Sequence, residues 1–368
     1  MKILYITTVG STMDFFIAFI RQLLRQGHTV DIACGSPEEL PPCYREWGCG
    51  VYPLSCSRSP LKPGNRAAVR EIRQIVSEQG YDLVHCHTPV AAACTRIACR
   101  TLRKAGTKVF YTAHGFHFYQ GAPLKNWLLY YPVEWLCSFW TDTLITINTE
   151  DYRRAEKHLH AGRTVYVPGV GVDTALFRER TGGQRIREEL GIGSRFLLLS
   201  VGELNENKNH RAVIRAAAGM DLVYVIAGDG PLRSTLKKTA EEAGTEVVLP
   251  GYQSDIAAFY AAADAYILPS LREGLNVSLM EAMASGLPCL AGRIRGNTDL
   301  LDEAGGYLFD PKDSDEIRED LLYMLASENR SAMGAYNQEK IRSFDVAVVN
   351  KQLMDLYNGS AAPSGRPG

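Results

Sequence analysis

A chain of 368 residues with 46% hydrophobic and 22% charged side chains can bury a full core, and it is long enough for two doubly wound domains rather than one. Its net charge of -1 argues against a general nucleic-acid binder, although residues 1–170 hold 19 Lys and Arg against 13 Asp and Glu and the remainder holds 21 against 28. Nine cysteines, odd in number and without a Cys-x-x-Cys pair, read as reduced core residues of a cytosolic protein, and no apolar run is long enough to predict a membrane span.

Residues 2–7 read as a first parallel strand that begins too close to the start, and is too interrupted, for a signal peptide. A helix through Phe15, Phe16, Ile17, Phe19, Ile20, Leu23 and Leu24 and a strand over 29–33 complete one βαβ unit. The loop between them, Thr8-Val9-Gly10-Ser11-Thr12, lacks Gly-x-Gly-x-x-Gly, so an NAD site has poor support. Gly10 there either lets strand and helix pack or touches a phosphate or acceptor. Residues 41–63 read as strand plus loop, 65–79 as a basic helix, and 81–87 as a strand ending in His85-Cys86-His87. His-x-His invites a metal, but spacing places no third ligand, and no metal is assigned. A helix over 91–104 and a strand over 108–113 lead to His114, at the end of a strand where open parallel sheets bind ligands.

The helix expected over 124–140 carries Trp127, Tyr130, Tyr131, Trp135, Phe139 and Trp140. Core packing accounts for most of these, yet Trp and Tyr also favour surfaces with one wet end. With Arg96, Arg100, Arg103, Lys104 and Lys108 close by in the chain, the alternatives are a solvated basic surface and a face resting on anionic membrane. A strand over 143–147, a capped helix opening at Asn148-Thr149-Glu150-Asp151, and a last strand running into a Pro-Gly linker place the domain boundary near 170.

A second alternating set follows. Strand 196–201 leads into Gly202-Glu203-Leu204-Asn205-Glu206-Asn207-Lys208, where Lys208 is a cation able to meet a diphosphate, and a helix starts at about Arg211. Strand 222–227 ends in Gly228-Asp229-Gly230-Pro231, whose glycines permit close backbone approach to a ligand, and strand 247–251 ends at Tyr252. After a helix over 256–262 and a strand over 265–269 comes Ser270-Leu271-Arg272-Glu273-Gly274-Leu275-Asn276-Val277-Ser278-Leu279-Met280-Glu281. Gly274 turns the chain and Asn276 is a suitable N-cap, so the free amides that follow can hold a phosphate. Glu273 and Glu281 suit hydrogen bonds from vicinal hydroxyls of a ribose or hexose. A strand over 289–293, helices over 298–303, 314–326, 337–341 and 346–356, a strand over 305–309 and a disordered tail over 358–368 complete the expected elements.

The stretch from Arg272 to Pro288 resembles the Glu-x7-Glu signature of the family 4 retaining glycosyltransferases, in particular those that assemble capsule and exopolysaccharide units. Tyr111-Thr112-Ala113-His114-Gly115-Phe116-His117-Phe118-Tyr119 resembles a segment of the same enzymes, and Gly228-Asp229-Gly230-Pro231 resembles their Gly-x-Gly-Pro turn. The resemblance spans nearly the whole chain and implies the GT-B fold, an α/β architecture of two Rossmann-like parallel-sheet domains facing a cleft. It implies an acceptor-side domain over 1–170, joined by the helix at about 344–357, and a nucleotide-sugar domain over 171–343. It further implies transfer of a hexose or N-acetylhexosamine from a nucleotide sugar, UDP-linked by preference, to a saccharide on a polyprenyl diphosphate. Neither metal nor cofactor is expected, and any membrane contact would be peripheral, on the cytoplasmic face. His114, Glu273 and Lys208 would serve the reaction. Gly10, Asn205, Gly228, Gly230, Pro231, Tyr252, Gly274, Leu275, Asn276, Val277 and Glu281 would hold the donor. One departure stands out: Glu203 occupies a position where the family usually has arginine, which leaves Arg272, Arg293 or Arg295 as substitutes. A nucleotide-sugar epimerase and a non-catalytic nucleotide-binding scaffold are the alternative functions.

Overall fold

In the computed structural model, which describes residues 1–359, the chain forms two compact units: Met1–Val170 together with the segment from Gln352, and Gly171–Lys351. The first holds seven parallel strands, β1 (Lys2–Thr7), β2 (Thr29–Cys34), β3 (Val51–Pro53), β4 (Leu83–His87), β5 (Lys108–Ala113), β6 (Thr143–Thr146) and β7 (Arg163–Tyr166), in the order β3-β2-β1-β4-β5-β6-β7. The second holds six, β8 (Phe196–Val201), β9 (Leu222–Ala227), β10 (Val247–Gly251), β11 (Ala265–Leu268), β12 (Cys289–Gly292) and β13 (Gly306–Phe309), in the order β10-β9-β8-β11-β12-β13. Both are parallel sheets of the Rossmann-like, doubly wound kind, so each strand is covered on both faces and reads as a continuous apolar run. Ile3 to Ile6, Leu197 to Leu199 and Ala265 to Leu268 are buried accordingly, each large side chain contributing about 1.5–3 kcal/mol. Strand order reverses between β1 and β4 and between β8 and β11, and ligands of such sheets bind at the carboxyl ends beside that reversal.

The helices follow local chemistry. Gly64–Gln79 buries Asn65, Ala68, Ile72 and Val76, one stripe at helical spacing, and Thr149–His158 is capped by Asn148, whose side chain accepts from the Asp151 amide at 2.8 Å. The helix after β4 starts at Pro89 rather than 91, because proline suits a first helical turn, and it ends at Cys99 before a separate 3-10 turn over Leu102–Ala105. Two short helices, Thr174–Arg178 and Gly183–Glu189, follow the linker in a stretch to which the sequence assigned no element. The segment read as a helix from Asn337 is the end of a longer one, Arg330–Lys340; Gly334 in its middle disguises the pattern because it lies against the Gly286 carbonyl, where a Cβ would not fit. All nine cysteines are free, and seven are buried.

The last described helix, Val346–Tyr357, starts in the second unit and ends in the first. There the Tyr357 hydroxyl bonds with Tyr5 at 2.7 Å and with His85 Nδ1. Asn358 and Gly359 continue it as a hydrogen-bonded turn, contrary to the tail expected from 358; residues 360–368 of that tail lie outside the described residues. Among the described residues no helix is long and apolar enough to cross a membrane.

Arg96 does not belong to a basic surface. It is buried, with Nη1 on Glu134 at 2.8 Å, Nε on the Ala92 carbonyl at 3.0 Å and its guanidinium 4.2 Å from the Tyr111 ring centre. Arg103 is likewise held by Asp142 at 2.6 Å, which leaves Arg100, Lys104 and Lys108 exposed.

Candidate functional site

Each sheet carries a constellation at its carboxyl ends. In the second unit a cavity of about 410 Å³ is lined by the ends of β8 and β9 (Val201, Gly202, Glu203; Ala227, Gly228, Asp229), by Tyr252, Gln253 and Ile256, and by Glu281. The helix Val277–Ala284 brings Glu281 there. Asn276 caps that helix, accepting from the Leu279 amide at 3.0 Å, while Leu279, Met280 and Met283 bury its other face. Tyr260 donates to Glu281 Oε2 at 2.8 Å. Burial pushes the Glu281 carboxyl up to about 7 even though the Tyr260 hydrogen bond opposes the shift, so near neutrality a small change in its surroundings decides its charge.

Glu273 takes a different partner. Lys208 Nζ lies 2.8 Å from Glu273 Oε1, and both side chains are largely buried. Asn205 sets up that contact: its side chain accepts from the Lys208 amide at 3.1 Å and caps the 3-10 turn Glu206–Lys208. The Lys208 stem lies over Gly202, where a Cβ would stand 3.2 Å from Cε and 3.6 Å from Nζ. Its ammonium therefore sits beside a wall residue of the cavity. An ammonium has three N–H groups and Glu273 uses one, so the others remain for an anionic ligand.

The structure thus gathers Gly228, Tyr252 and Glu281 around the cavity, with Lys208 and Glu273 paired at its Gly202 side. Gly274, Leu275 and Val277 form the turn and first helical residue around the Asn276 cap. Pro231 continues the Gly228–Gly230 loop without lining the cavity. Gly228 and Gly230 are required by the protein's own packing: a Cβ on Gly228 would stand 1.9 Å from the Gly202 carbonyl oxygen, and one on Gly230 would stand 2.7 Å from that of Leu204. Among the cavity residues that sequence did not single out are Gly202, Gln253 and Ile256. A glycine at the end of a buried strand was the available signal for the first; nothing in composition or spacing marks the others. Tyr260 also escaped, since its bond to Glu281 joins residues 21 apart.

Glu203 lines the cavity exposed and accepts from Asn205 Nδ2 at 2.9 Å. Of the three arginines considered as substitutes, Arg293 is committed to Glu316 at 2.7 Å and Arg295 is buried, with Nε donating to the Glu273 carbonyl at 3.1 Å. Arg272 is exposed in the turn itself.

In the first unit β5 delivers His114 beside the histidines of β4. His85 and His87 lie two residues apart on one strand and so share a face, with ring centres 4.2 Å apart, and His87 Nδ1 is 3.1 Å from His114 Nε2. Tyr5 and Phe16 pack on His87 at 5.5 and 4.4 Å between ring centres. Burial holds His85 down at about 3, His114 at about 4 and His87 well below its ordinary range, with neighbouring histidines adding to the shifts of His85 and His87. All three are neutral near pH 7. Among the described residues no group of three or more His, Cys, Asp or Glu is arranged to hold a metal ion.

Gly10 opens the turn Gly10–Phe16, and a Cβ on it would stand 2.4 Å from the Ser36 carbonyl oxygen, so packing alone requires glycine there. Beside it, Thr8, Val9, Thr12, Arg58, Thr88, Pro89, Val90, His117 and Tyr130 line a cavity of about 340 Å³ at the β1/β4 reversal.

Comparison with known proteins adds the following. Residues 183–340 match the family described as Glycosyl transferases group 1, and residues 18–169 match the Glycosyl transferase 4-like domain. A Bacillus subtilis protein designated a glycosyltransferase, EpsD, is 37% identical, the match covering 97% of this chain and 96% of that one. The UDP-Gal:alpha-D-GlcNAc-diphosphoundecaprenol alpha-1,3-galactosyltransferase of Escherichia coli is 29% identical, over 80% of this chain and 81% of its own. Among solved structures, Anabaena Alr3699/HepE in complex with UDP superposes with a TM-score of 0.80 at 20% identity, covering 98% of this chain and all of that one, a likeness of fold.

Proposed function

We propose a specific reaction for this chain, which belongs to the GT-B glycosyltransferases of group 1 and is a glycosyltransferase: it moves a hexosyl or N-acetylhexosaminyl group from a UDP-sugar to a saccharide on a polyprenyl diphosphate, with retention at the anomeric carbon, in capsule or exopolysaccharide assembly. The observation that carries the proposal is the cavity at the β8/β11 reversal, with Glu281 aimed into it and a lysine ammonium with spare N–H groups at its rim. Glu281 would accept from the ribose hydroxyls and Glu273 from the donor sugar. Lys208 and the amides after Gly274 would offset the charge that develops on the departing diphosphate, without a metal ion. His114 would meet the sugar as a neutral imidazole. No side chain is assigned as a covalent nucleophile, and retention would follow from attack on the face the diphosphate leaves. The lipid-linked acceptor is supported by the E. coli relative, whose designation names such an acceptor, and the UDP donor by that relative and by HepE.

Peripheral membrane contact belongs to the same proposal. The helix Leu124–Ser138 exposes Leu124, Leu128, Val133, Trp135 and Leu136, and Lys125 beside them supplies positive charge. Sedimentation with anionic vesicles should show salt-sensitive binding that Leu128→Glu removes; equal pelleting of both proteins would end this part of the proposal.

The reaction is tested by NMR of the protein with candidate UDP-sugars, with and without membrane lipid extract and with a metal chelator present. A transferase consumes donor only with acceptor lipid, an epimerase alters it without acceptor, and a scaffold leaves it unchanged.

A further inference from the structure

The geometry points to His87 as a positioning residue that fixes the tautomer of His114, so that His114 carries its proton on Nδ1 and presents an N–H group, not a base, to its ligand. The inference rests on the reading of His114 as a ligand contact. The contact between His87 Nδ1 and His114 Nε2, 3.1 Å long, needs one proton between two nitrogens, and burial keeps both rings neutral. Two arrangements are possible. If His114 Nε2–H donates, His87 must carry its own proton on Nε2. That atom is buried and has no hydrogen-bond partner among the described residues, its ring being packed between Tyr5, Phe16 and His85. A buried N–H without an acceptor is the rarer and costlier orphan, whereas a bare ring nitrogen in aromatic surroundings forfeits less. If His87 Nδ1–H donates instead, the orphaned atom is the bare Nε2, and His114 Nε2 is occupied as an acceptor. The neutral His114 then bears its single proton on Nδ1.

This arrangement has a chemical consequence. The free nitrogen of His114 can donate to a hydroxyl or ring oxygen of a ligand but has no lone pair with which to take a proton from one. His85 cannot exchange roles with His87, since its Nδ1 meets the Tyr357 hydroxyl and its Nε2 meets Thr112 Oγ1 at 2.8 Å.

Nitrogen-15 NMR of the imidazoles in the full chain, without ligand, decides the matter through the two-bond couplings of each ring. The expected result is His114 protonated at Nδ1 and His87 also at Nδ1; His114 protonated at Nε2 in the wild-type protein overturns the inference. His87→Phe keeps an aromatic ring in the slot but removes the N–H, and should leave His114 in mixed tautomers, while His87→Gln can restore a donor and with it the single tautomer. An unchanged His114 tautomer in a folded His87→Phe protein also overturns it. In turnover, His87→Phe should lower kcat by about tenfold or more with KM within about twofold, the pattern of a group that acts through another. Since the NMR readout needs no substrate, a single Nδ1–H tautomer in the wild-type protein and mixed tautomers in His87→Phe, beside wild-type turnover of His87→Phe, would count against the role of His114 in transfer and not against its tautomer.

Discussion

Each unit holds an ion pair whose two side chains are both largely shielded, and the two are finished in different ways. In the first, Arg96 spends Nη1 on Glu134, Nε on the Ala92 carbonyl and its planar face on Tyr111, while the Tyr111 hydroxyl donates to the other Glu134 oxygen at 3.2 Å. In the second, Lys208 has a single carboxylate contact at 2.8 Å, and its side chain and that of Glu273 keep 16% and 14% of their surface. A pair sealed in the core, whose one unpartnered group, Arg96 Nη2, is buried where no ligand reaches it, ties elements together. A pair with spare N–H groups, beside a cavity, is held ready for something else.

The sharpest way to break this contrast is to cut the first pair. Arg96→Met should destabilise the folded chain by ~3–5 kcal/mol, because it leaves the Glu134 charge buried alone, and adding Glu134→Leu should recover most of the loss. Urea unfolding followed by tryptophan fluorescence measures both; equal stability of the single and double variants would refute the structural reading. Next in size, Lys208→Ala should lower kcat by about 10²–10³, the range for losing one preorganised charge contact, with a smaller stability loss than Arg96→Met. Wild-type turnover in a folded Lys208→Ala protein would make the second pair structural as well.

The two units should also part on acidification. For His85, His87 and His114 the folded values lie below the ordinary 6.5, so their contribution to stability is complete above about 6.5 and is lost as pH falls toward 4 and 3. Glu281, raised to about 7, has the opposite sign: its contribution is complete below the ordinary 4.5 and is lost as pH rises through 7. Hydrogen exchange between pH 7 and 5 should therefore show β4 and β5 losing protection by up to ~1.4 kcal/mol per pH unit for each proton taken up, and β11 losing less. Uniform loss across both sheets would remove the distinction. The Glu281 titration should appear in ligand binding too, since only the carboxylate accepts from two hydroxyls. UDP affinity by calorimetry should fall by about threefold to tenfold from pH 8 to 6, and Glu281→Gln should flatten that dependence. Smallest is the helix cap, Asn276→Ala, at ~1 kcal/mol of stability read from thermal unfolding.

Much of the scaffold is legible before folding, because buried parallel strands are spelled as apolar runs and end at glycines. The strands at 2–7, 108–113, 196–201 and 222–227 have the boundaries their residues announce, and the Asn276 cap is a local matter of one side chain and one amide. What sequence did not reveal is long-range pairing. Arg96 looks like its basic neighbours until Glu134, 38 residues away, is seen beside it, and His87 looks like half a metal motif until β5 brings His114 to it. The Lys208–Glu273 contact spans 65 residues, and no periodicity encodes it.

The contact of Tyr357 with Tyr5 and His85 bears on the order of synthesis. Residue 357 is synthesised only after the whole of the second unit, so the histidine cluster of the first lacks one of its contacts while the 181 residues from Gly171 to Lys351 are made. Until Tyr357 docks, Tyr5 on β1 and His85 on β4 lack its hydroxyl as a hydrogen-bond partner.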